Sequence, residues 1–454
     1  MNKSEAHFAL ELQRLIMRYS LSWLAAGCLV GFLMASLLLY PELGKFFGEF
    51  TYGRWVPVHL NFMLFGWSAL PMVGVLLKSF LRPGPAGLKQ ANFALGTWSL
   101  ALAMGGVSWL AGETSGKLFL DWVGIPRLLF MAALWILWLV LGWNYAVDLI
   151  ASKAAQKRLG AMILKGALLV GLGFVPWALY HQSQRSSYPA IDPGTGGPTG
   201  SSLLISTLGI LLVFALIPRL LGVERKPGLP SAAAFWAWFA IALVYFLALD
   251  HGNSSHWDGR QIAGVALLLA GAPTMILYLR DFQWRQPSLP WLTAVVCWWA
   301  ALVVVGFIIF LPGVLEHVKF THSLIAHADL AMPGLVTSLN MLILCNLAGE
   351  NASSPPSRPT AHSSHSSHSS HSSHPLPITG KQTFWLWQGA LIFQVILLFA
   401  IGAMEWLDTG ELWKVTGYAS AFFSLRLLTG ISMGVAALSW AWNAWTGTHY
   451  ETAR

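Results

Sequence analysis

Three ionisable side chains, His322, His327 and Asp329, stand near the start of the apolar stretch FTHSLIAHADLAMPGLVTSLNMLILCNL, residues 320–347. The stretch is long enough to cross a bilayer as a helix. Ionisable groups inside a membrane helix are costly and mark a functional site by default. Because successive helix residues turn by about 100°, His327 and Asp329 are predicted to point to nearly opposite sides and to serve two neighbouring pockets. The alternative is that these residues only tie helices together around a kink at Pro333.

The composition indicates a polytopic membrane protein. Of 454 residues, 56% are hydrophobic and only 10% are charged, which is typical of chains that live in a bilayer. The three cysteines, Cys28, Cys297 and Cys345, all fall in apolar runs, which argues against a disulfide framework and against a cysteine metal site. The net charge of +8 would suit an acidic partner, but its distribution follows membrane topology, and we expect no nucleic-acid partner.

The apolar runs predict an all-α bundle of twelve membrane-spanning helices. Each run is close to the length that a span needs. The twelve runs cover residues 21–39, 56–80, 91–111, 126–150, 159–180, 202–221, 231–249, 261–279, 290–311, 321–347, 384–404 and 421–445. Residues 1–454 are therefore expected to form a single integral membrane domain, in contact with the lipid bilayer.

The positions of Lys and Arg predict the orientation of this bundle. If both termini are cytoplasmic, 18 of these residues lie inside and 8 outside, and Arg426 remains within the last span. An excess of positive charge in cytoplasmic loops is the strongest topological signal. The N-terminal residues are amphipathic and lack a small-residue cleavage site, so no signal peptide is expected.

A Ser- and His-rich loop, residues 349–381, joins spans ten and eleven on the predicted cytoplasmic side. It contains HSSHSSHSSHSSH, with His362, His365, His368, His371 and His374 at a spacing of three. This composition cannot bury a core, so a disordered linker is favoured over a metal site.

Several spans carry polar residues at a similar predicted depth. Beside those of span ten, His59 lies near the outer start of span two, and Tyr245 and His251 lie at the outer end of span seven. Arg426 lies near the outer start of span twelve. Histidines that face one another across a helix bundle are a common way to hold haem, whose iron takes imidazole axially.

The order of spans and motifs resembles subunit I of the haem–copper respiratory oxidases, and the local motifs are most similar to the C-family, or cbb-type, branch. GRWVPVHLNFMLFGW resembles the family segment that carries an axial ligand of the low-spin haem, here His59. THSLIAHADLAMPG is similar to the span-ten motif, where the resemblance makes His327 the high-spin haem ligand and places Asp329 at the second low-spin ligand. SLRLLTGISM resembles the stretch whose arginine pairs with haem propionates, here Arg426.

The sequence departs from this family at the metal sites. The family holds copper with a span-six histidine and an adjacent pair of histidines on span seven. Here His251 is followed by Gly252, and span six has no histidine near the corresponding position, Pro198. His256 lies in a turn that we expect to be exposed and unsuited to a buried metal. Tyr245 keeps the place of the family's active-site tyrosine, six residues before His251.

The low-spin site departs as well. Asp329 offers a carboxylate where the family has an imidazole, and a carboxylate is a poor match for low-spin haem iron. The resemblance implies a b-type haem, while copper binding and oxygen reduction are not expected.

The resemblance therefore favours a subunit of respiratory electron transfer in a bacterial inner membrane. Its partners would be other respiratory subunits, such as a c-type cytochrome supplied by another chain. The alternative is a haem-free structural or assembly subunit. A proton or solute pathway has less support, because acidic residues within the spans are nearly absent apart from Asp329.

Overall fold

The computed structural model describes residues 3–151, 159–227, 230–348, 376, 378–408 and 416–447, and most of these residues are helical. Twelve helices of this described part are long and apolar enough to cross a membrane, which confirms the predicted all-α polytopic bundle. Spans one to twelve are Lys3–Leu39, Tyr52–Phe80, Pro85–Leu110, Gly124–Ala151, Leu159–Gln182, Gly200–Leu221, Ser231–Ala248, Gly259–Arg280, Gln286–Phe310, His322–Asn346, Lys381–Leu407 and Tyr418–Thr446. Nearly all of the Ser- and His-rich loop, including its five spaced histidines, lies outside the described residues.

Consecutive spans cross a bilayer in opposite directions, so the loops fall into two groups. The loops that follow odd-numbered spans lie at one end of the bundle, here called the odd-loop end. The loops that follow even-numbered spans lie at the other, the even-loop end. Two short helices, Leu43–Phe47 and Leu315–Val318, belong to the odd-loop end.

The first helix is much longer than the apolar run that predicts it. It begins at Lys3 rather than near residue 21 and runs unbroken for 37 residues. Its early turns bury one apolar face, as Phe8, Leu12 and Ile16 are at most 6% exposed. The polar residues of these turns lower the mean hydropathy, so the apolar face is not recognised from the sequence. Some of them pair with one another, as Arg14 does with Glu11 at 2.7 Å. Packing of an amphipathic face therefore extends the helix.

Span ten is the central helix of the bundle. Within its most apolar stretch, 67% of the residues are buried inside the protein, against 11% for span five. It packs against spans nine and eleven, and its even-loop half also contacts span two. Span five contacts span four along its length and otherwise faces outward. Span ten therefore has more helix neighbours than span five does, and its side chains are the better placed to contact other spans.

Spans two and ten each contain a π-helical segment, Phe62–Ser68 and Leu330–Val336. The first begins three residues after His59, and the second begins directly after Asp329. Single π-helical turns inside α-helices occur frequently at functional sites, because the extra residue per turn re-aims the side chains around it. Pro333 lies inside the second segment, where its missing N–H fits the altered hydrogen bonding.

At the even-loop end of these segments, buried hydrogen bonds join spans two and ten. The indole N–H of Trp67 donates to Oγ1 of Thr337 at 2.9 Å, and the side-chain amide of Asn340 donates to the Trp67 carbonyl at 2.9 Å. Above the segments the two spans take different neighbours: span two packs on spans one and three, and span ten on span eleven. The halves that carry His59 and Asp329 are therefore positioned by other helices.

Candidate functional site

The imidazole of His59 is held against span one. Its Nδ1 lies 2.9 Å from the carbonyl oxygen of Gly27. The ring also lies so close to Gly31 that a Cβ at that position would be 2.8 Å from Cε1 of His59. The two glycines are four residues apart and so share one helix face. A backbone carbonyl that accepts from Nδ1–H fixes the tautomer and leaves the lone pair on Nε2, as for most histidines that ligate metals.

Asp329 takes part in a hydrogen-bonded chain across three spans. The side-chain N–H of Gln394 on span eleven donates to the Asp329 carboxylate at 2.6 Å. The hydroxyl of Thr429 on span twelve donates to Oε1 of Gln394 at 2.7 Å. Gln394 and Thr429 were not predicted as site residues. A glutamine inside the apolar run LIFQVILL is the signal that points to the first of them.

Arg426 belongs to the same region of the bundle. It precedes Thr429 by one helical turn on span twelve, and its carbonyl oxygen lies 2.8 Å from the Thr429 hydroxyl, as an alternative acceptor to Gln394. The positive charge of Arg426 acts on both His59 and Asp329. The structure thus brings three of the predicted residues, from spans two, ten and twelve, into one electrostatic neighbourhood.

His327 faces a different neighbour from Asp329, as the rotation of a helix requires. Its ring lies against span nine, where a Cβ on Gly306 would be 3.0 Å from Cε1 of His327. The Nδ1 atom is buried and has no hydrogen-bond partner among the described residues. A buried polar atom without a partner is costly, so this ring nitrogen is a candidate for binding a ligand.

His322, the third ionisable residue of span ten, is engaged by Glu405 of span eleven. Its Nδ1 lies 2.8 Å from one carboxylate oxygen, and its backbone N–H donates to the other at 2.8 Å. The His322 ring also packs edge-on against Phe422, with centroids 4.8 Å apart. His322 therefore joins spans ten and eleven at their odd-loop end, and it is not part of the neighbourhood of Asp329.

The residues at the predicted copper position have separate partners. The Tyr245 hydroxyl donates to the carbonyl of Arg260 on span eight, at 3.0 Å. His251 is exposed, and its Nδ1 lies 3.5 Å from the hydroxyl of Ser201 on span six. Within the described residues there is no group of three or more His, Cys, Asp and Glu side chains placed to hold a metal ion.

His256, expected to lie in an exposed turn, is instead 1% exposed. Its ring lies between two carboxylates: Nδ1 contacts Asp192, and Nε2 lies 2.8 Å from Glu316. Asp192 is fully buried. Burial alone would raise its pKa, but backbone N–H groups of His256 and Gly194 and the His256 ring hydrogen-bond the carboxylate and hold the pKa below its usual value.

This Asp192–His256–Glu316 bridge joins three loops of the odd-loop end: those that follow spans five, seven and nine. The Trp257 indole adds to it by donating to Glu316 at 2.9 Å. Because both ring nitrogens of His256 are already engaged by carboxylates, the ring is not available as a metal ligand. The prediction that His256 lies in an exposed turn is wrong, because the packing of these three loops buries its ring.

A comparison with known protein families found no matching family model, and a comparison with curated proteins found no match. The likeness to the haem–copper oxidases therefore rests on the short motifs around His59, His327 and Arg426.

Proposed function

We propose that this protein is a haem-binding membrane subunit of respiratory electron transfer that does not itself reduce oxygen. The observation that carries the proposal is the hydrogen bond between Nδ1 of His59 and the carbonyl of Gly27, at 2.9 Å. It prepares Nε2 as an axial ligand, and the Gly31 groove fixes the plane of the ring. These are the positioning contacts that haem ligands have in proteins.

The residues present fit a b-type haem, which supplies reversible one-electron transfer when bound. His59 would hold the iron through Nε2, and Arg426 would pair with the propionates, since its charge already acts on this region. Asp329 is not suited to the second axial position, because its carboxylate accepts from Gln394. His327, whose buried Nδ1 has no hydrogen-bond partner in the described part of the chain, offers a second imidazole in the neighbouring pocket.

The donor set argues against oxygen reduction by this chain. At the copper position of the resembled family stands one exposed imidazole, His251, beside the hydroxyl of Ser201. Copper favours several imidazole donors. Tyr245, the counterpart of the family's active-site tyrosine, donates to a backbone carbonyl of span eight instead. These contacts support electron transfer without oxygen chemistry.

The proposal places the protein in a bacterial inner membrane with both termini cytoplasmic, beside other respiratory subunits such as a c-type cytochrome. The distribution of Lys and Arg supports the orientation. The sequence contains no C-x-x-C-H motif for covalent haem, so a c-type haem would belong to another chain.

A second function, a haem-free structural or assembly subunit, is supported by one observation. The Asp329–Gln394–Thr429 chain satisfies its own hydrogen-bonding groups without any ligand. Such a chain holds three helices together by itself.

Optical absorption of the purified protein separates these two functions. The test uses protein that lacks residues 362–374, so that the spaced histidines cannot bind haem adventitiously. We expect a Soret band and a b-type pyridine haemochrome, both lost in His59→Ala. His181→Ala, which removes an exposed histidine of span five, is the matched control and should keep them. Well-folded protein expressed with sufficient haem but without a Soret band would overturn the proposal in favour of the structural role.

A further inference from the structure

A cavity of about 510 Å³ opens at the even-loop end, between the first helix and spans three and four. Its lining carries two opposite charges, Glu5 from the first helix and Arg82 from the loop after span two. The polar side chain of Gln90 and the indole of Trp143 complete two of its walls. The site shares no residue with the candidate haem region.

The local backbone explains how Arg82 comes to this position. The loop after span two folds back onto the first turn of span three, and a Cβ on Gly87 would lie 2.4 Å from the carbonyl oxygen of Arg82. Only glycine permits so close an approach. Gly84, with φ of 139°, precedes the helix and has no side chain to cap it. The first N–H groups of span three therefore line the cavity beside Arg82, and helix N-termini favour phosphate groups.

The guanidinium of Arg82 is oriented by a neighbouring carboxylate but remains largely exposed to solvent. Its Nε lies 3.6 Å from the Asp148 carboxylate, and the Arg82 side chain is 56% exposed. Its backbone N–H lies 3.3 Å from Oδ1 of the buried Asn144 side chain, which fixes the loop against span four. The terminal nitrogens of an arginine anchored in this way can bind a phosphate through two hydrogen bonds.

An exposed apolar strip continues from the cavity along span four. Trp143, Leu139 and Trp135 recur at every fourth residue and are 66%, 59% and 43% exposed. Residues at this spacing share one helix face. Tryptophan at the end of a span sits at the level of lipid headgroups, and the strip below it runs into the hydrocarbon layer. A free phosphate has no apolar group that could contact this strip, whereas a phospholipid has its acyl chains.

We propose that this cavity binds a zwitterionic aminophospholipid. Arg82 and the start of span three bind its phosphate, Glu5 binds its primary ammonium, and the strip from Trp143 to Trp135 contacts an acyl chain. A primary ammonium donates hydrogen bonds to a carboxylate, which a quaternary ammonium cannot do. The headgroup is therefore phosphatidylethanolamine-like rather than phosphatidylcholine-like or anionic.

Native mass spectrometry of the delipidated full chain tests this proposal. Phosphatidylethanolamine, phosphatidylcholine and phosphatidylglycerol are added separately, and lipid adducts are counted against concentration. We expect phosphatidylethanolamine to bind about tenfold more tightly than the other two, which corresponds to about 1.4 kcal/mol. Equal binding of all three lipids would overturn the proposal.

Single variants test whether Arg82 binds the lipid phosphate and Glu5 binds the ammonium. Arg82→Gln should weaken binding of phosphatidylethanolamine and phosphatidylglycerol alike, by about tenfold, and Arg82→Lys should restore part of it. Glu5→Gln should remove only the preference for phosphatidylethanolamine. The matched control is the pair Glu42 and Lys45, an exposed ion pair of the odd-loop end, whose Gln variants should bind as the parent does. A preference that survives Glu5→Gln in folded protein would contradict the assignment of the ammonium.

Competition with inorganic phosphate shows whether the site binds a lipid headgroup or a free phosphate ion. We expect millimolar phosphate to leave lipid binding unchanged, because the strip on span four adds affinity that a free anion lacks. Full displacement of the lipid by phosphate would show a simple anion site and overturn the lipid assignment.

Discussion

The side-chain amide of Gln394 donates a 2.6 Å hydrogen bond to the carboxylate of Asp329, across the interface between spans eleven and ten. Thr429 of span twelve completes the chain by donating to Gln394 at 2.7 Å. Three consecutive spans are thus joined by side chains inside an apolar interior. In such a setting an unpaired polar group is more costly than the net value of the bond itself.

The first prediction concerns the stability of this chain. Gln394→Leu leaves the Asp329 carboxylate without its donor and should cost about 1–3 kcal/mol of unfolding free energy. The double variant Asp329→Leu and Gln394→Leu removes both groups and should be closer to the parent than the single variant is. Thermal unfolding in detergent measures both variants and the single variant Asp329→Leu. Strictly additive losses would contradict a direct interaction between the two side chains.

The second prediction recreates a bis-histidine site, and it rests on the proposed function. Asp329→His would place an imidazole in the neighbourhood that His59 and Arg426 share. We expect the variant, expressed with haem, to show the sharp reduced bands and low-spin resonance signal of a six-coordinate haem. Addition of His59→Ala should abolish them. Unchanged spectra in well-folded protein would mean that span ten aims position 329 away from the haem.

The third prediction is that purified protein lacking residues 362–374 contains no stoichiometric copper and shows no oxygen uptake with an artificial electron donor. The reason is the single exposed imidazole of His251 at the position where the resembled family gathers three. Elemental analysis and an oxygen electrode measure the two quantities. One copper per chain, together with oxygen uptake, would refute the prediction.

The fourth prediction concerns pH and the Asp192–His256–Glu316 bridge. Hydrogen bonds hold the pKa of Asp192 below its usual value, so its stabilising effect is complete above the unfolded pKa of about 3.9. The effect is lost as pH falls through the lower folded value. Asp192→Asn should therefore lower the unfolding temperature at pH 7, and the difference from the parent should shrink below about pH 4. Asp258→Asn should leave the neutral-pH value nearly unchanged, because Asp258 is a half-buried N-cap of span eight and asparagine caps a helix about as well. A difference that grew on acidification would contradict this account.

The fifth prediction concerns topology. A cysteine at position 364, in the Ser- and His-rich loop, and one in the turn after span seven should label from opposite sides of intact cells. Ser254, a small residue of that turn, is 7% exposed and hydrogen-bonded to Asp250, which makes it a poor labelling site. Trp257, 64% exposed, is the better site. Labelling of both cysteines from one side would contradict the alternation of the spans.

The helical content and the number of spans follow from hydropathy. In lipid, a span must satisfy all of its backbone N–H and C=O groups by its own hydrogen bonds, which a helix does. The opposite directions of His327 and Asp329 follow from helix geometry alone, and their different neighbours, Gly306 and Gln394, agree with it. The early turns of the first helix were missed because their buried face is interrupted by paired charges such as Arg14 and Glu11.

The partners of the site residues could not be predicted, since they come from distant parts of the chain. Gln394 is 65 residues from Asp329, and Asp192 and Glu316 are 64 and 60 residues from His256. Local composition describes the turn at His256 as polar and therefore exposed. Only the packing of three loops makes it one of the most enclosed polar sites of the odd-loop end.

The unbroken first helix has a practical consequence for anyone who expresses this protein. At 37 residues and about 1.5 Å per residue it is about 55 Å long, whereas the hydrocarbon layer is about 30 Å thick. Its early turns therefore extend past the hydrocarbon layer to the level of the headgroups, with Phe8 and Leu12 buried in the bundle. An affinity tag should be attached ahead of these turns rather than in their place, because trimming them removes part of the core and not a tail.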